Sequence, residues 1–293
     1  MRKLTILTVT LFFTSLIVFA SQEISNVEKK ALIDLYNSTK GQNWNHSWDL
    51  TAPVSKWKGV KINENHVVGI NLFHNNLNGH LPESIGSLVK LEELNLAFNT
   101  ITGILPKNIV KLKCLKVVKL EMNRIKGTIP KSIGRLNNLE EFSIFNNFLN
   151  GYIPESLGDI STLKILNLSS NNLEGIIPVS LGNLTNLETL GLFENSLEGQ
   201  IPKEVGNLKR LRELVLANNK LRGEIPSELS QLASLKVFQI QNNQIKSFRG
   251  IENMKTKSFL VFDTDENKYN KKFSENVIRN SRMADTKFDD DNK

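Results

Sequence analysis

Few residues of this sequence have the types and spacing that catalysis or metal binding requires. The four histidines never fall at metal-ligand spacing, and the only cysteine, Cys114, cannot form a cysteine zinc site or an internal disulfide. Glu92 with Glu93, and Glu140 with Glu141, could serve acid–base chemistry, but nothing around them predicts a cleft that would shift their pKa values. No nucleophile–base pair and no glycine-rich phosphate loop stands out. The sequence therefore predicts a non-enzyme without metal or cofactor.

The composition is that of a soluble globular protein. Of 293 residues, 40% are hydrophobic and 23% are charged, which excludes general disorder. The formal net charge is +7, from 37 lysines and arginines against 30 aspartates and glutamates, and the surplus is scattered along the chain. The sequence therefore predicts no nucleic-acid partner.

The first twenty residues have the layout of a secretory signal peptide. Arg2 and Lys3 give a positive start, residues 4–20 carry no charge, and Val18 and Ala20 stand at the −3 and −1 positions of a cleavage site. An uncleaved membrane anchor is the alternative, since this run just reaches the shortest length that spans a bilayer. The signal peptide is favoured, and no later run predicts a membrane span. We therefore expect a protein that is secreted, or located at the cell surface or in the periplasm.

A period of 24 residues runs through most of the chain. Proline, asparagine and glycine each recur at this interval, at Pro82, Pro106, Pro130, Pro154, Pro178, Pro202 and Pro226; at Asn75, Asn99, Asn123, Asn147, Asn171, Asn195, Asn219 and Asn243; and at Gly79, Gly103, Gly127, Gly151, Gly175, Gly199 and Gly223. A fixed period of this length predicts a solenoid, in which each coil buries its apolar side against its neighbours.

One unit, residues 163–186, shows what each position does. Leu163, Leu166 and Leu168 predict a short strand with its leucines in the core and the residues between them on the outer face of a parallel sheet. Asn171 ends the strand, and its amide can bond backbone groups of its own turn and of the adjacent coil. Stacked coils would place the eight asparagines in a ladder.

These residues resemble the plant-type leucine-rich repeat. Its pattern, LxxLxLxxNxLxGxIPxxLGxLxx, is met almost letter for letter over residues 67–234, and an eighth repeat from Leu235 is degenerate after Ile245. The chain is similar to bacterial secreted members of the family, to plant receptor kinase ectodomains and to polygalacturonase-inhibiting proteins. The resemblance implies an α/β repeat solenoid, a right-handed superhelix with a parallel concave β-sheet that binds ligands.

The segments around the repeats read as caps. The sequence predicts a signal peptide at 1–20, an N-terminal cap at 21–66, the solenoid at 67–250 and a C-terminal cap with a charged tail at 251–293. The N-terminal cap should contain a helix that begins with a capping box formed by Ser25 and Glu28 and ends before Gly41. The apolar face of this helix consists of Val27, Ala31, Leu32, Leu35 and Tyr36. We expect Trp44, Trp48 and Trp57 to form the core of this N-terminal cap, which acts as a lid on the solenoid; sugar stacking by these residues is the alternative. At the other end, residues 259–262 could form a last strand.

The candidate binding residues come from the outward positions before each ladder asparagine. These positions predict an exposed apolar patch formed by Phe73, Phe98, Met122 and Phe145, with His74 beside Phe73 and with Phe193 isolated further along. Glu121 forms an acidic strip with Glu93 and Glu141, and this strip would select a basic partner. Charges alternate along another column, from Glu92 and Lys116 onward, and predict a ladder that favours the correct register. We expect a secreted module that binds a protein through the concave face; a carbohydrate binder or adhesin is the alternative.

Overall fold

Each 24-residue unit forms one coil of a right-handed solenoid in the computed structural model, which describes residues 24–248, 250 and 260–265. The predicted signal peptide and most of the predicted charged tail lie outside these residues. Leu163, Leu166 and Leu168 are completely buried, and the equivalent positions of the other repeats are buried too. The periodic leucines therefore form one continuous core along the solenoid, as the sequence predicts.

One strand from each of the eight repeats, together with one further strand at each end, forms a ten-stranded sheet, which we call the concave sheet. Its strands, in spatial and chain order, are Val60–Asn63, His66–Asn71, Glu93–Asn95, Val117–Lys119, Glu141–Ser143, Ile165–Asn167, Thr189–Gly191, Glu213–Val215, Val237–Gln239 and Val261–Asp263. The first two strands form an antiparallel hairpin, and the other pairs are parallel. Glu64 and Asn65 both have positive φ, which suits the two-residue turn of this hairpin.

The asparagine ladder forms as predicted. Asn147 Oδ1 accepts a hydrogen bond from the backbone N–H of Ile125 at 2.9 Å, and its Nδ2 donates to the carbonyls of Leu120 at 3.0 Å and Ile144 at 3.2 Å. The same three partners, 22, 27 and 3 residues earlier, recur at each ladder position from Asn99 to Asn243. The amides of the first four rungs are buried, whereas those of the last four are only half-buried.

A second set of strands, which the repeat pattern did not lead us to predict, follows the asparagines. A two-stranded sheet joins Asn78–His80 with Thr100–Thr102, and a six-stranded sheet contains Lys126–Gly127, Phe148–Tyr152, Asn172–Ile176, Ser196–Gly199, Lys220–Glu224 and Gln244–Ser247. Gly175 in this sheet has φ +76°, and a Cβ there would lie 2.4 Å from the Tyr152 ring. The periodic glycine thus serves both the backbone conformation and the close approach of the preceding coil.

Each coil returns along the opposite side through a short 3₁₀ helix that starts just after the periodic proline. These helices are Glu83–Ser87, Lys107–Lys111, Ile133–Arg135, Glu155–Asp159, Val179–Asn183, Lys203–Asn207 and Ser227–Gln231, the third starting two residues later than the others. Proline fixes φ where the chain turns into the helix.

The N-terminal cap contains one α-helix, Asn26–Ser38, and the 3₁₀ turns Gly41–Asn43 and Val54–Lys56. The Ser25 side chain accepts from the Glu28 N–H at 3.2 Å, which is the N-cap half of the predicted capping box, and its hydroxyl donates to the Glu28 carboxylate at 3.1 Å. The Glu28 carboxylate is buried and also accepts from the Val67 N–H at 3.3 Å, which ties the helix to the first repeat. Val27 is exposed, contrary to the prediction, because its position faces away from the core. Within the described residues, no helix is long and apolar enough to cross a membrane.

The three tryptophans form the interior of this cap. Trp48 stacks on Trp57 with centroids 4.8 Å apart and meets Trp44 edge-on at 4.9 Å. All three are buried, and each indole N–H donates to a backbone carbonyl. Buried rings have no face to offer a sugar, so the lid interpretation holds and the sugar-stacking alternative is wrong.

The last described strand, Val261–Asp263, covers the other end of the core. It pairs with Val237–Gln239, and the Phe262 ring lies 5.8 Å from the Phe238 ring. Asp265 Oδ1 accepts from the Asn242 N–H at 2.7 Å, where earlier coils supply a backbone carbonyl from the next repeat. A strand and a carboxylate thus replace the missing ninth coil.

Candidate functional site: the concave face

Two columns of residues at the ends of the concave strands form the candidate binding surface. The floor column, two residues before each ladder asparagine, contains Phe73, Ala97, Glu121, Phe145, Ser169, Phe193, Ala217 and Gln241. The edge column, directly before the asparagine, contains His74, Phe98, Met122, Asn146, Ser170, Glu194, Asn218 and Asn242.

All eight edge-column residues have a left-handed backbone, with φ between +48° and +57°, including +57° at Phe98 and +55° at Met122. They turn the chain out of the sheet rather than extending the strand. A left-handed L-residue costs about 1–2 kcal/mol, least for asparagine, which can hydrogen-bond locally. Asn146, Asn218 and Asn242 fit this backbone, whereas Phe98 and Met122 are poorly suited to it.

The structure brings Phe73, His74 and Phe98 together on the open surface. The Phe73 side chain is 52% exposed and that of Phe98 is 41% exposed, and their rings lie 5.1 Å apart at 55°. The exposed His74 lies with its ring 6.2 Å from the Phe73 ring. We call Phe73 and Phe98 the aromatic pair.

The remaining apolar candidates are less accessible than predicted. Met122, Phe145 and Phe193 are half-buried, so the predicted four-residue exposed patch is reduced to the aromatic pair with half-buried neighbours. Met122 is covered in part by the next coil, where Asn146 Nδ2 donates to its Sδ at 3.0 Å. Phe193 lies five coils from Phe73 and four from Phe98, away from the pair, as the sequence suggests.

Glu121 is the acidic residue of the floor column, one coil beyond the aromatic pair. Its Oε2 is buried and has no hydrogen-bond partner. Burial raises the pKa of the Glu121 carboxyl above its ordinary value, and the negative charge of Glu141 acts in the same direction. Lys119 and hydrogen bonds from the Glu121 backbone and Ser143 oppose this rise without cancelling it. The nearby ammonium of Lys119 pairs with Glu141 at 3.1 Å.

The predicted charge column forms separate ion pairs. Lys116 contacts Glu92 at 2.8 Å, Lys164 contacts Glu140 at 2.6 Å, and Arg212 contacts Glu188 at 3.5 Å. These side chains are largely exposed, so each pair adds little to stability. Each pair joins neighbouring coils, as the predicted register ladder requires.

Two polar groups of the floor column were not singled out from the sequence. Ser169 Oγ and Gln241 Oε1 are buried and have no hydrogen-bond partner. Their positions could have been read from the same column as Phe73, but their lack of partners depends on how the neighbouring side chains pack. The described residues hold no group of three or more His, Cys, Asp or Glu side chains that could bind a metal ion.

This architecture matches known leucine-rich repeat proteins in both sequence and structure. A model of a leucine-rich repeat region matches residues 70–198, and a model of two leucine-rich repeats matches residues 209–253. The Arabidopsis receptor kinase HAESA, solved with the peptide hormone IDA and the co-receptor SERK1, is 33% identical with a TM-score of 0.72, over 82% of this chain and 41% of that chain.

Two further structures extend the comparison. The ectodomain of GASSHO1/SCHENGEN3 from Arabidopsis thaliana, in complex with CASPARIAN STRIP INTEGRITY FACTOR 2, is 28% identical with a TM-score of 0.69, over 78% of this chain and 31% of that chain. A plant ice-binding protein, at 22% identity and a TM-score of 0.51 over 76% of this chain and 88% of that chain, shows the fold alone. The chain spans less than half the length of the receptor ectodomains it matches. The two repeat models together cover more than half of the chain, and it belongs to the leucine-rich repeat family, with repeats of the plant type.

Proposed function

We propose that this chain is a secreted, non-catalytic recognition module that binds a protein or peptide through its concave face. The signal-like first twenty residues support export. The receptor kinase HAESA, which has the same repeat architecture, was solved with a peptide hormone, which supports a polypeptide partner.

The observation that carries the proposal is the exposed aromatic residue Phe98 on a left-handed backbone. Asparagine would suit that backbone better, and burying the aromatic ring in the core would stabilise the fold more. Neither the backbone nor the core therefore explains a phenylalanine here. A partner that covers the aromatic pair would explain it, because buried aromatic residues dominate the energy of protein interfaces.

Phe98→Asn separates binding from stability. We expect the free energy of unfolding to stay within about 1 kcal/mol of the wild-type value, because relief of the left-handed strain offsets the lost contact with Phe73. Partner binding should weaken by about 2 kcal/mol, roughly thirtyfold in Kd. The immobilised mature chain would be incubated with extracellular extract, captured proteins identified by mass spectrometry, and their affinities measured for both variants.

Ser170→Asn is the control, because it introduces the same residue on the same left-handed backbone, three coils from Phe98, without removing an aromatic ring. It should bind like wild type. Equal capture by wild type and Phe98→Asn would contradict the proposal. Capture on a polysaccharide array, with no protein captured, would instead establish the carbohydrate-binding alternative.

A further inference from the structure

Three buried oxygen atoms without hydrogen-bond partners lie in the floor column: Glu121 Oε2, Ser169 Oγ and Gln241 Oε1. Buried polar atoms are rarely left unpaired in folded proteins, because an unmet group costs free energy. A carboxylate or amide oxygen can only accept, and a hydroxyl can accept as well. A partner that brings N–H donors would reach these atoms only if their side chains turned toward the surface, which the partial exposure of Glu121 and Gln241 allows and the burial of Ser169 does not.

Glu121 is the charged member of this set, and the free protein balances its charge poorly. The nearest cation, Lys119, contacts Glu141 at 3.1 Å. Although the chain carries a net charge of +7, Glu121 and Glu141 outnumber Lys119 at this point of the concave face. A positive group from a partner would be attracted to this point of the concave face.

The spacing relates Glu121 to the aromatic pair. Phe73 and Glu121 occupy the same column two coils apart, about 10 Å at the strand spacing of ~4.8 Å, and Phe98 belongs to the coil between them. An extended polypeptide rises about 3.3 Å per residue. An apolar side chain over the pair and a side chain over Glu121 would therefore be two or three residues apart in such a partner.

We propose that Glu121 forms a specificity subsite that receives a lysine or arginine side chain of the partner, two or three residues from an apolar side chain that covers Phe73 and Phe98. This inference rests on the proposed function, because it assigns the chemistry of the partner at the same concave face. Arginine suits the subsite best, since its guanidinium forms strong charge-assisted hydrogen bonds with a carboxylate and keeps its charge at all ordinary pH values.

A phage-displayed library of random twelve-residue peptides, selected on the immobilised mature chain, tests the subsite without a known partner. Selected peptides should be enriched in arginine or lysine two or three positions from an aromatic or large aliphatic residue. Synthetic copies should bind at least tenfold more weakly to Glu121→Gln, and their affinity for wild type should fall as salt is raised. Binding to Glu198→Gln should change less than twofold, because Glu198 is an exposed acid of the strand Ser196–Gly199 and belongs to neither column of the candidate binding surface.

The outcomes distinguish the subsite from the proposed function. Peptides that lose binding in Phe98→Asn, yet show no basic enrichment and tolerate Glu121→Gln, would overturn the subsite while supporting concave-face binding. A selection with no peptide dependent on Phe98 would contradict the proposed function and the subsite with it. An unfolding midpoint of Glu121→Gln at or above that of the wild type shows that a loss of binding is not a loss of fold.

Discussion

At the scale of single residues, the concave face contains groups that a design for stability alone would avoid. Phe98 adopts a backbone that suits asparagine, and Glu121 has a buried carboxylate oxygen without a partner. Natural proteins depart from local preferences of this kind mainly at functional sites. The two residues belong to neighbouring coils, so their unfavourable features fall on one small area of surface.

Glu121→Gln should stabilise the free protein at neutral pH. Burial raises the pKa of the Glu121 carboxyl in the folded protein, so folding disfavours the ionised form. The stability of the wild type is therefore highest below the pKa that Glu121 has in the unfolded chain, and it falls as pH rises through the pKa of Glu121 in the folded protein. The variant should therefore be more stable by about 1 kcal/mol at pH 7, and the difference should vanish near pH 4. Urea unfolding at both pH values measures it, and a less stable variant at pH 7 would show that the charge is well compensated.

At the scale of elements, the asparagine ladder is uniform in its bonds and uneven in its burial. Asn147 and Asn195 bond the same three backbone positions, with Asn195 Oδ1 accepting from Leu173 at 3.0 Å. Asn147 is buried, whereas Asn195 is half-buried. If the asparagine side chain is removed, water can bond the freed backbone groups at the half-buried position but not at the buried one. The same three hydrogen bonds therefore contribute more to stability at Asn147 than at Asn195.

Asn147→Ala should therefore cost more stability than Asn195→Ala. We expect about 3 kcal/mol for Asn147, whose removal leaves several buried backbone groups without partners, and roughly half as much for Asn195. The urea midpoints of the two variants give the comparison directly. Equal losses would mean that the ladder bonds contribute independently of burial.

The repeating residue types predict the core leucines and the ladder, because each depends only on which side chain recurs every 24 residues. The backbone conformation of the edge column was missed because His74, Phe98 and Met122 do not suggest a turn, although Asn146, Asn218 and Asn242 do. The half-burial of Phe145 depends on neighbours in adjacent coils, which a column of letters does not show. The unpaired state of Ser169 was hidden for the same reason.

At the scale of the whole molecule, a solenoid is a one-dimensional stack in which each coil contacts only its neighbours. The aromatic pair and Glu121 occupy the first three repeats, directly beside the tryptophan-filled cap. The buried Glu28 carboxylate joins the cap helix to the first repeat through the Val67 N–H. The binding surface should therefore depend on the N-terminal cap and hardly at all on the C-terminal strand.

Trp57→Ala and Phe262→Ala test this polarity, because each removes a buried ring from one end of the solenoid. Either substitution should cost about 3–5 kcal/mol locally, since Trp57 stacks on Trp48 and Phe262 packs on Phe238. Hydrogen exchange should show lost protection in the first repeats for Trp57→Ala and in the last repeats for Phe262→Ala. Peptides selected on the wild-type chain should then lose affinity for the first variant and keep it for the second. Equal loss of affinity in both would mean that the coils unfold as one cooperative unit, because only then would damage at the far end reach Phe73, Phe98 and Glu121.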